Sequence, residues 1–289
     1  MRHTPSELPG TLAVILAAML WGSIGTAQAL MPPERVPMVV AAIRLLVGAL
    51  ALLGLALASR AGRDGFARLP VRAVLLAGVA MAGYNLVFFA AIDRIGVGIG
   101  TALSIGSAPV WVTLFRFIRR REIPAPRMLA GQALCIAGAG LLVGAGAAGG
   151  GPLGGYLLAL GCGAAYATYS LATSSAGQSV PSSTLAAATF LVAALICAPA
   201  LAILPTAWAA QPSAAALLLA MGVGATGLAY ALYTWGLRSV APAAAVTLAL
   251  IEPLTAWLCG VFILGEPATT ARLAGAAILF AGLWLVARR

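Results

Sequence analysis

The chain has 289 residues, of which 62% are hydrophobic and 8% are charged, and its formal net charge is +10. A soluble domain averages about 25% charged residues, so this chain has too few polar side chains to cover a water-facing surface. The composition excludes a soluble globular protein. It predicts an all-α integral membrane protein, in which helices satisfy their own backbone hydrogen bonds within the lipid.

Short links rich in proline, glycine and arginine divide the chain into apolar segments. A helix needs about 20 apolar residues to cross about 30 Å of hydrocarbon, and the segments have this length. They predict ten transmembrane helices, over residues 11–30, 36–58, 70–92, 98–118, 127–148, 153–175, 182–204, 213–237, 241–263 and 272–288.

Scarce residue types recur at one fixed offset along the chain. The pairs are Arg94 with Arg238, Pro109 with Pro253, Glu122 with Glu266, and Leu129-Ala130-Gly131 with Leu273-Ala274-Gly275, each 144 positions apart. Membrane transporters are often built from two such repeats. The pattern predicts a first five-helix repeat over 1–148 and a second over 152–289, with the glycine-rich link near 149–152 between them.

An odd number of helices in each repeat turns the second copy upside down relative to the first. Most arginines then fall on one side of the membrane, whereas Arg35, Arg94 and Arg272 lie on the other and Arg44 lies inside the second segment. Because cytoplasmic loops are enriched in arginine, we expect both termini to face the cytoplasm. The positive charge is then explained by topology and by contact with anionic lipid headgroups, not by nucleic-acid binding.

Two features of the sequence have alternative interpretations. Arg2, the apolar stretch after it and Ala27-Gln28-Ala29 are typical of a cleaved signal peptide. Because the first segment corresponds to the sixth at the repeat offset, we expect it to be retained. Four cysteines fall inside predicted helices without CxxC spacing, which favours packing residues over a disulfide framework: Cys135, Cys162, Cys197 and Cys259.

A family resemblance rests on the motifs of the two halves. They are Trp21-Gly22, Ala42-Ile43-Arg44-Leu45, Gly100-Thr101-Ala102-Leu103, Pro109, Glu122, Gly138, Thr247, Pro253, Gly265-Glu266 and Gly282, with the two Leu-Ala-Gly runs. With them the chain resembles the EamA-type branch of the drug/metabolite transporter superfamily. The resemblance implies two inverted five-helix repeats and export of small metabolites across a bacterial inner membrane. Within the branch, the chain is most similar to exporters of amino acids, including aromatic ones.

Glu252 is the carboxylate deepest in a predicted helix, directly before Pro253, and its repeat mate is Ala108. Charged groups inside a membrane are costly and often functional. Glu252 is therefore a candidate for proton coupling or for binding a substrate amine. The alternative is a structural carboxylate, hydrogen-bonded to backbone that Pro253 leaves free.

Arg44 is the second charged candidate. It lies roughly 12 Å of helix inside the second segment. A guanidinium there is suited to a bidentate pair with a substrate carboxylate. The alternatives are that Arg44 extends outward to the membrane surface, or that it pairs with Glu34 or Asp93 at the rim.

Pro109 and Pro253 each remove a backbone donor in the middle of a predicted helix and so predict kinks in the fourth and ninth helices. The kinks are consistent both with parts that bend during transport and with a static shape. Glu122 and Glu266 fall at the ends of these helices, where we expect them to form ion pairs with neighbouring arginines.

Aromatic and polar side chains at helical spacing predict the wall of a central cavity. The candidates are Tyr84, Asn85 and Phe88; Tyr166, Tyr169 and Ser170; Tyr230, Tyr233 and Thr234; and Trp21, Ser104, Ser107 and Thr247. Such a wall suits an apolar or aromatic amino acid. Ordinary helix packing is the alternative for any single residue.

An enzyme is not expected, because no nucleophile with a base, paired acids or metal ligands can be assembled inside the helices. We expect no cofactor, no metal and no nucleic-acid partner, and a monomer or homodimer in the bilayer. The alternative function is export of hydrophobic cations or drugs, coupled to protons through Glu252.

Overall fold

A computed structural model describes residues 7–121, 123–144 and 151–287 of the chain. Glu122, the arginines Arg2, Arg288 and Arg289, and the glycines at 149–150 lie outside the described residues. All regular secondary structure in the described part is helical. The helices are α1 Glu7–Ala29, α2 Pro37–Leu57, α3 Arg60–Gly65, α4 Val71–Ile95, α5 Val97–Gly106, α6 Ala108–Arg120, α7 Pro126–Gly144, α8 Leu153–Ala176, α9 Ser182–Cys197, α10 Ala200–Ile203, α11 Pro212–Ala220, α12 Ala229–Gly236, α13 Pro242–Leu248, α14 Ile251–Leu264 and α15 Thr270–Ala287.

Nine helical stretches in the described part of the chain are long and apolar enough to cross a bilayer. They coincide with nine of the ten predicted segments, and the prediction of an all-α membrane protein is confirmed. The remaining segment, predicted over 153–175, is the helix Leu153–Ala176, which is not among the nine. The count of ten spans and the cytoplasmic position of the termini stay predictions.

The fourth and ninth spans are each divided into two helices just before their proline. One residue, Ser107, separates the helix Val97–Gly106 from the helix Ala108–Arg120. Pro109 is in the first turn of the second helix. Pro242–Leu248 and Ile251–Leu264 are separated by Ala249 and Leu250, and Pro253 again follows the break. Both spans are thus interrupted next to the predicted prolines, and the kinks themselves stay predictions.

The eighth span carries an irregularity that the sequence did not predict. Its middle, Met221–Leu228, is a π-helix between α11 and α12. π-helical turns are rare overall, but those that do occur are often found at functional sites. This segment packs against α2 through glycines, since a Cβ at Gly48 would collide with Thr226 and one at Gly222 would collide with Val47.

Helices α7 and α15, the fifth and last spans, cross at very short range. A Cβ at Gly131 would lie 3.1 Å from the carbonyl oxygen of Gly282, and a Cβ at Gly138 would lie 2.7 Å from that of Gly275. Cys135 sits at the crossing, and its Sγ is 3.9 Å from the carbonyl oxygen of Leu279. Small side chains here allow the backbones to approach, as is common between membrane helices.

The remaining packing pairs helices from different parts of the chain. α1 packs against α12 and α14, α4 packs along α8, and α2 packs along α9. One large buried cluster includes residues of nearly all these helices, among them Trp21, Leu45, Tyr169 and Tyr233. Cys135, Cys162 and Cys197 are buried free thiols and Cys259 is partly buried. Trp21, Tyr166 and Tyr230 of the candidate site are among the residues of this cluster.

Candidate functional site

Arg44 points into the bundle and is held by two side chains. Its Nη2 donates a hydrogen bond of 2.9 Å to Oδ1 of Asn85, and its Nη1 donates one of 3.3 Å to Oγ1 of Thr226. Asn85 is itself oriented, because its Nδ2 donates a bond of 2.8 Å to the carbonyl oxygen of Met81. Hydrogen bonds to a charged donor are stronger than neutral ones. The interpretations in which Arg44 extends to the surface or pairs at the rim do not describe this structure.

Thr226 is a site residue that the sequence analysis missed. It is fully buried and belongs to the π-helical segment. Its sequence surroundings, Gly222 to Gly227, are rich in small residues and indicate close packing rather than recognition. The signal that it contacts Arg44 is tertiary, since the two residues are 182 positions apart.

Glu252 lies in the first turn of α14, just after the break in the ninth span. The positive end of the helix dipole favours a carboxylate at this place. The ion pairs in the described part of the chain are Arg60 with Asp64 and Arg272 with Glu266, so Glu252 is in neither. Its side chain is partly buried.

The two charged groups and two tyrosines lie near one another. Arg44 is within Coulombic range of Glu252, and both are within such range of the hydroxyl groups of Tyr84 and Tyr230. Tyr84, like Glu252, is surrounded by protein but only partly buried. An unpaired carboxylate and a positioned guanidinium thus face the same region of the bundle.

The aromatic candidates come together around Trp21. Its ring centroid lies 4.7 Å from Tyr230, 5.2 Å from Tyr233 and 6.1 Å from Tyr166. Tyr166 connects this group to Tyr84 at 6.2 Å. Further ring pairs extend the cluster: Tyr84 with Phe88 at 5.8 Å, Tyr166 with Tyr169 at 6.2 Å, and Tyr169 with Tyr233 at 6.1 Å.

Phe190 of α9 also belongs to this aromatic cluster, although the sequence analysis did not name it. Its ring centroid is 4.1 Å from that of Tyr230, and the residue is fully buried. A single phenylalanine in an apolar helix gives no sequence signal for this position. Packing of α9 against α12 brings it there.

The rings of the cluster differ in what they can offer a ligand. Tyr169 and Tyr233 are fully buried. The hydroxyl of Tyr169 lies 3.4 Å from Oγ1 of Thr234, and the hydroxyl of Tyr233 lies 2.9 Å from Oγ of Ser170. These hydrogen bonds stabilise the packing of the helices. Trp21 is 5% exposed, and its Nε1 has no hydrogen-bond partner among the described residues. Buried polar groups are nearly always paired, so this N–H is available to a ligand.

Two further predicted wall residues, Thr247 and Ser104, lie on the two broken spans. Thr247 is fully buried, and its hydroxyl donates a 2.6 Å bond to the carbonyl oxygen of Ala243 in its own helix. Ser104 is fully buried on α5, where α5 packs against α8, and its Oγ has no partner among the described residues.

The predicted ion pair of Glu266 is confirmed. Nη1 of Arg272 lies 2.9 Å from Oε2 of Glu266, at the surface end of the ninth span. Surface pairs of this kind contribute about 0–1 kcal/mol. The corresponding prediction for Glu122 concerns a residue outside the described part. Over the described residues, no group of three or more His, Cys, Asp and Glu is placed to hold a metal ion.

Comparison with known proteins identifies the family. The model of the EamA-like transporter family matches residues 8–144 and again residues 153–288. The chain belongs to the EamA-like transporter family. It is thus a multi-pass membrane transporter, as the resemblance implied, and its family and relatives are transporters rather than enzymes.

Individual relatives of this EamA-like transporter cover almost its whole length. It is 35% identical to the uncharacterized transporter YwfM of Bacillus subtilis, over 96% of this chain and 93% of the relative. It is 30% identical to the threonine/homoserine exporter RhtA of Escherichia coli K12, over 94% of this chain and 89% of the relative. A solved crystal structure has the same fold, with a TM-score of 0.84 at 22% identity and coverage of 98% of both chains.

Proposed function

We propose that this EamA-like transporter exports small metabolites, namely amino acids including aromatic ones, from a bacterial cytoplasm by alternating access. The substrate binds at the centre of the bundle, between the two halves of the chain. The carboxylate of the amino acid pairs with Arg44 and its ammonium group pairs with Glu252. The side chain of the amino acid lies against Trp21, Tyr84 and Tyr230.

The observation that carries the proposal is the pair of opposite charges at the centre of the bundle. Arg44 is oriented by Asn85 and Thr226, whereas Glu252 has no ion-pair partner among the described residues. Buried charges are paired in stable proteins, because an uncompensated one is costly. A zwitterion supplies the missing partner for each group. A substrate with only one charge leaves the other unsatisfied.

Two further observations support an amino-acid substrate. The free Nε1 of Trp21 offers a hydrogen-bond donor beside the rings. The relative RhtA is named a threonine/homoserine exporter and is similar to this chain over most of both lengths. Aromatic rings and a nearby donor suit a side chain that is partly apolar and partly polar.

The transport cycle that we propose uses the two broken spans as bending points. The breaks before Pro109 and Pro253 separate each span into two rigid helices. Discontinuous helices at the midplane are a recurring feature of transporters with inverted repeats. In this proposal the segments 1–148 and 152–289 are inverted five-helix repeats, and both termini face the cytoplasm. Rocking of the helices about the breaks opens the substrate site to each side of the membrane in turn.

The test is transport of labelled threonine into proteoliposomes, competed by a matched set of unlabelled solutes. The set includes homoserine and phenylalanine, a 2-amino alcohol that lacks the carboxylate and a 2-hydroxy acid that lacks the amine. We expect competition by the amino acids and at least about tenfold weaker competition by each singly charged analogue. The ranking of homoserine and threonine against phenylalanine, tryptophan and tyrosine then defines the side-chain preference.

Two results would contradict the proposal. Equal competition by the amino alcohol and the amino acid would remove the role of Arg44. Competition by tetraphenylphosphonium, without competition by any amino acid, would support the alternative function, in which Glu252 binds hydrophobic cations. A variant Arg44→Gln, measured beside Arg72→Gln at the exposed start of α4, controls for the general loss of positive charge.

A further inference from the structure

An apolar groove lies on the outside of the bundle, away from the aromatic cluster. Its cavity volume is about 280 Å³, and it is enclosed by α5 and α6 together with α7 and α8. The side chains of Val110, Trp111 and Leu114 are 52, 36 and 42% exposed, so the groove is open to the surroundings of the bundle. Trp111 closes one edge, where its Nε1 donates a 3.0 Å bond to the carbonyl oxygen of Leu160.

The groove follows a single face of the fourth span. Ala102, Gly106, Val110 and Leu114 recur at four-residue spacing and all line it. These positions extend over about 18 Å of helix. One leaflet contributes about 15 Å of hydrocarbon to a bilayer. The groove therefore has about the length of one acyl chain, and it extends to both sides of the middle of the span Ile99–Arg119.

The face of the fourth span that lines the groove ends in an arginine at the surface. Arg121 follows Leu114 by about 10 Å of helix. Its guanidinium lies 5.9 Å from the ring centroid of Phe117. Arg119, Arg121 and Arg127 are all exposed at this end of the bundle. A basic cluster at the membrane surface attracts anionic lipid headgroups.

We propose that the groove and Arg121 together bind one anionic phospholipid. The headgroup contacts Arg121, with Arg119 and Arg127 nearby, and one acyl chain fills the groove up to Gly106. This site is separate from the proposed substrate site. It extends across the break before Pro109, because Gly106 and Val110 both line the groove. A bound acyl chain therefore contacts both pieces of the fourth span, α5 and α6.

The experiment is titration of the purified full chain with phosphatidylglycerol or phosphatidylcholine, followed by native mass spectrometry. The headgroup variant is Arg121→Gln, and its control is Arg72→Gln, an exposed arginine at the start of α4 with the same change in charge. The groove variant is Gly106→Leu. A Cβ there meets only Cγ2 of Ile136 at 3.8 Å, so the added side chain projects into the groove. Its control is Gly140→Leu on α7, where a Cβ meets nothing within 4 Å.

We expect one phosphatidylglycerol to bind more tightly than phosphatidylcholine. Arg121→Gln should weaken its binding about fivefold and Arg72→Gln should not. Gly106→Leu should abolish the tight site, and Gly140→Leu should leave it. If Gly106→Leu does not fold, Val110→Phe at an exposed position of the groove serves the same purpose.

Three outcomes would overturn the proposal. Equal losses in the two arginine variants would show diffuse attraction to the whole positive surface. Unchanged binding in a folded groove variant would show that no acyl chain occupies the groove. A change in oligomeric mass in the groove variant, without a change in lipid binding, would show that a second copy of the chain covers this face.

Discussion

The two broken spans have the same backbone feature and different chemistry. In the fourth span the break precedes Ala108 and Pro109, and Ala108 is fully buried. In the ninth span the break precedes Glu252 and Pro253, and Glu252 is only partly buried. The residues correspond at the offset of 144 positions. The break is thus common to both halves of the chain, whereas the charge is specific to the second.

The break in the helix and the carboxylate beside it are independent features of the two spans. The fourth span divides before its proline without a carboxylate, so a break of this kind does not by itself require one. The structural interpretation of Glu252 therefore has no support from the fourth span. What distinguishes the ninth span is its surroundings, because Arg44 and Tyr84 lie within electrostatic range of Glu252.

The largest effect is expected from a carboxylate at the first break. The variant Ala108→Glu places a charge in a fully buried position without a partner. An uncompensated buried charge costs about 3–5 kcal/mol, so we expect a large loss of stability. The measurement is the thermal unfolding midpoint of the purified protein, with Glu252→Ala as the control that removes a carboxylate. A midpoint equal to that of the unchanged protein would mean that the first break accommodates a carboxylate as well as the second does.

Removal of the charge at the second break should impair transport rather than stability. We expect Glu252→Gln to weaken the apparent substrate affinity at least about tenfold, because the ammonium group loses its partner. The residual flux should no longer respond to an imposed pH gradient, since glutamine cannot bind and release a proton. The control is Glu266→Gln in the surface pair with Arg272, which should transport normally. Unchanged gradient dependence in Glu252→Gln would exclude Glu252 as the coupling group.

A smaller effect is expected at Thr226, which belongs to the second half of the chain and positions Arg44. The variant Thr226→Val keeps the shape and removes one hydrogen bond, which contributes about 1 kcal/mol. We expect KM to rise about fivefold with little change in the maximum rate. The matched control is Thr168→Val, because the hydroxyl of Thr168 bonds only to the carbonyl oxygen of Ala164 in its own helix. Equal effects of the two variants would assign the Thr226 result to general packing.

The smallest effects on stability are expected from the prolines themselves. Each is in the first turn of its half-helix, where proline is well tolerated, so Pro109→Ala and Pro253→Ala should change stability by less than about 1 kcal/mol. If both breaks bend during transport, the two variants should slow the maximum rate to a similar degree. The check is a comparison of rate and unfolding midpoint. A slower rate in one variant alone would restrict the bending to that span.

Much of the fold could be predicted because it depends on local properties. Apolar length and short links located the helices, and Pro109 and Pro253 located two breaks. Helical spacing selected Tyr84, Tyr166 and Tyr230, which the structure brings together with Trp21. The same spacing selected Thr247, whose hydroxyl bonds within its own helix. Periodicity shows which residues share a face of one helix, but it does not show which neighbouring helix that face packs against.

The sequence by itself determined the class, the helical segments and the candidate charges, because hydrophobicity, proline and buried charge act through local physical chemistry. Only the tertiary structure decided the partners. Arg44 meets Asn85 from 41 positions away and Thr226 from 182 positions away, and Phe190 joins the rings through the packing of α9. The π-helical turn that presents Thr226 arises where α2 and the eighth span pack closely through glycines. Contacts between distant segments depend on how whole helices pack, and no local pattern encodes them.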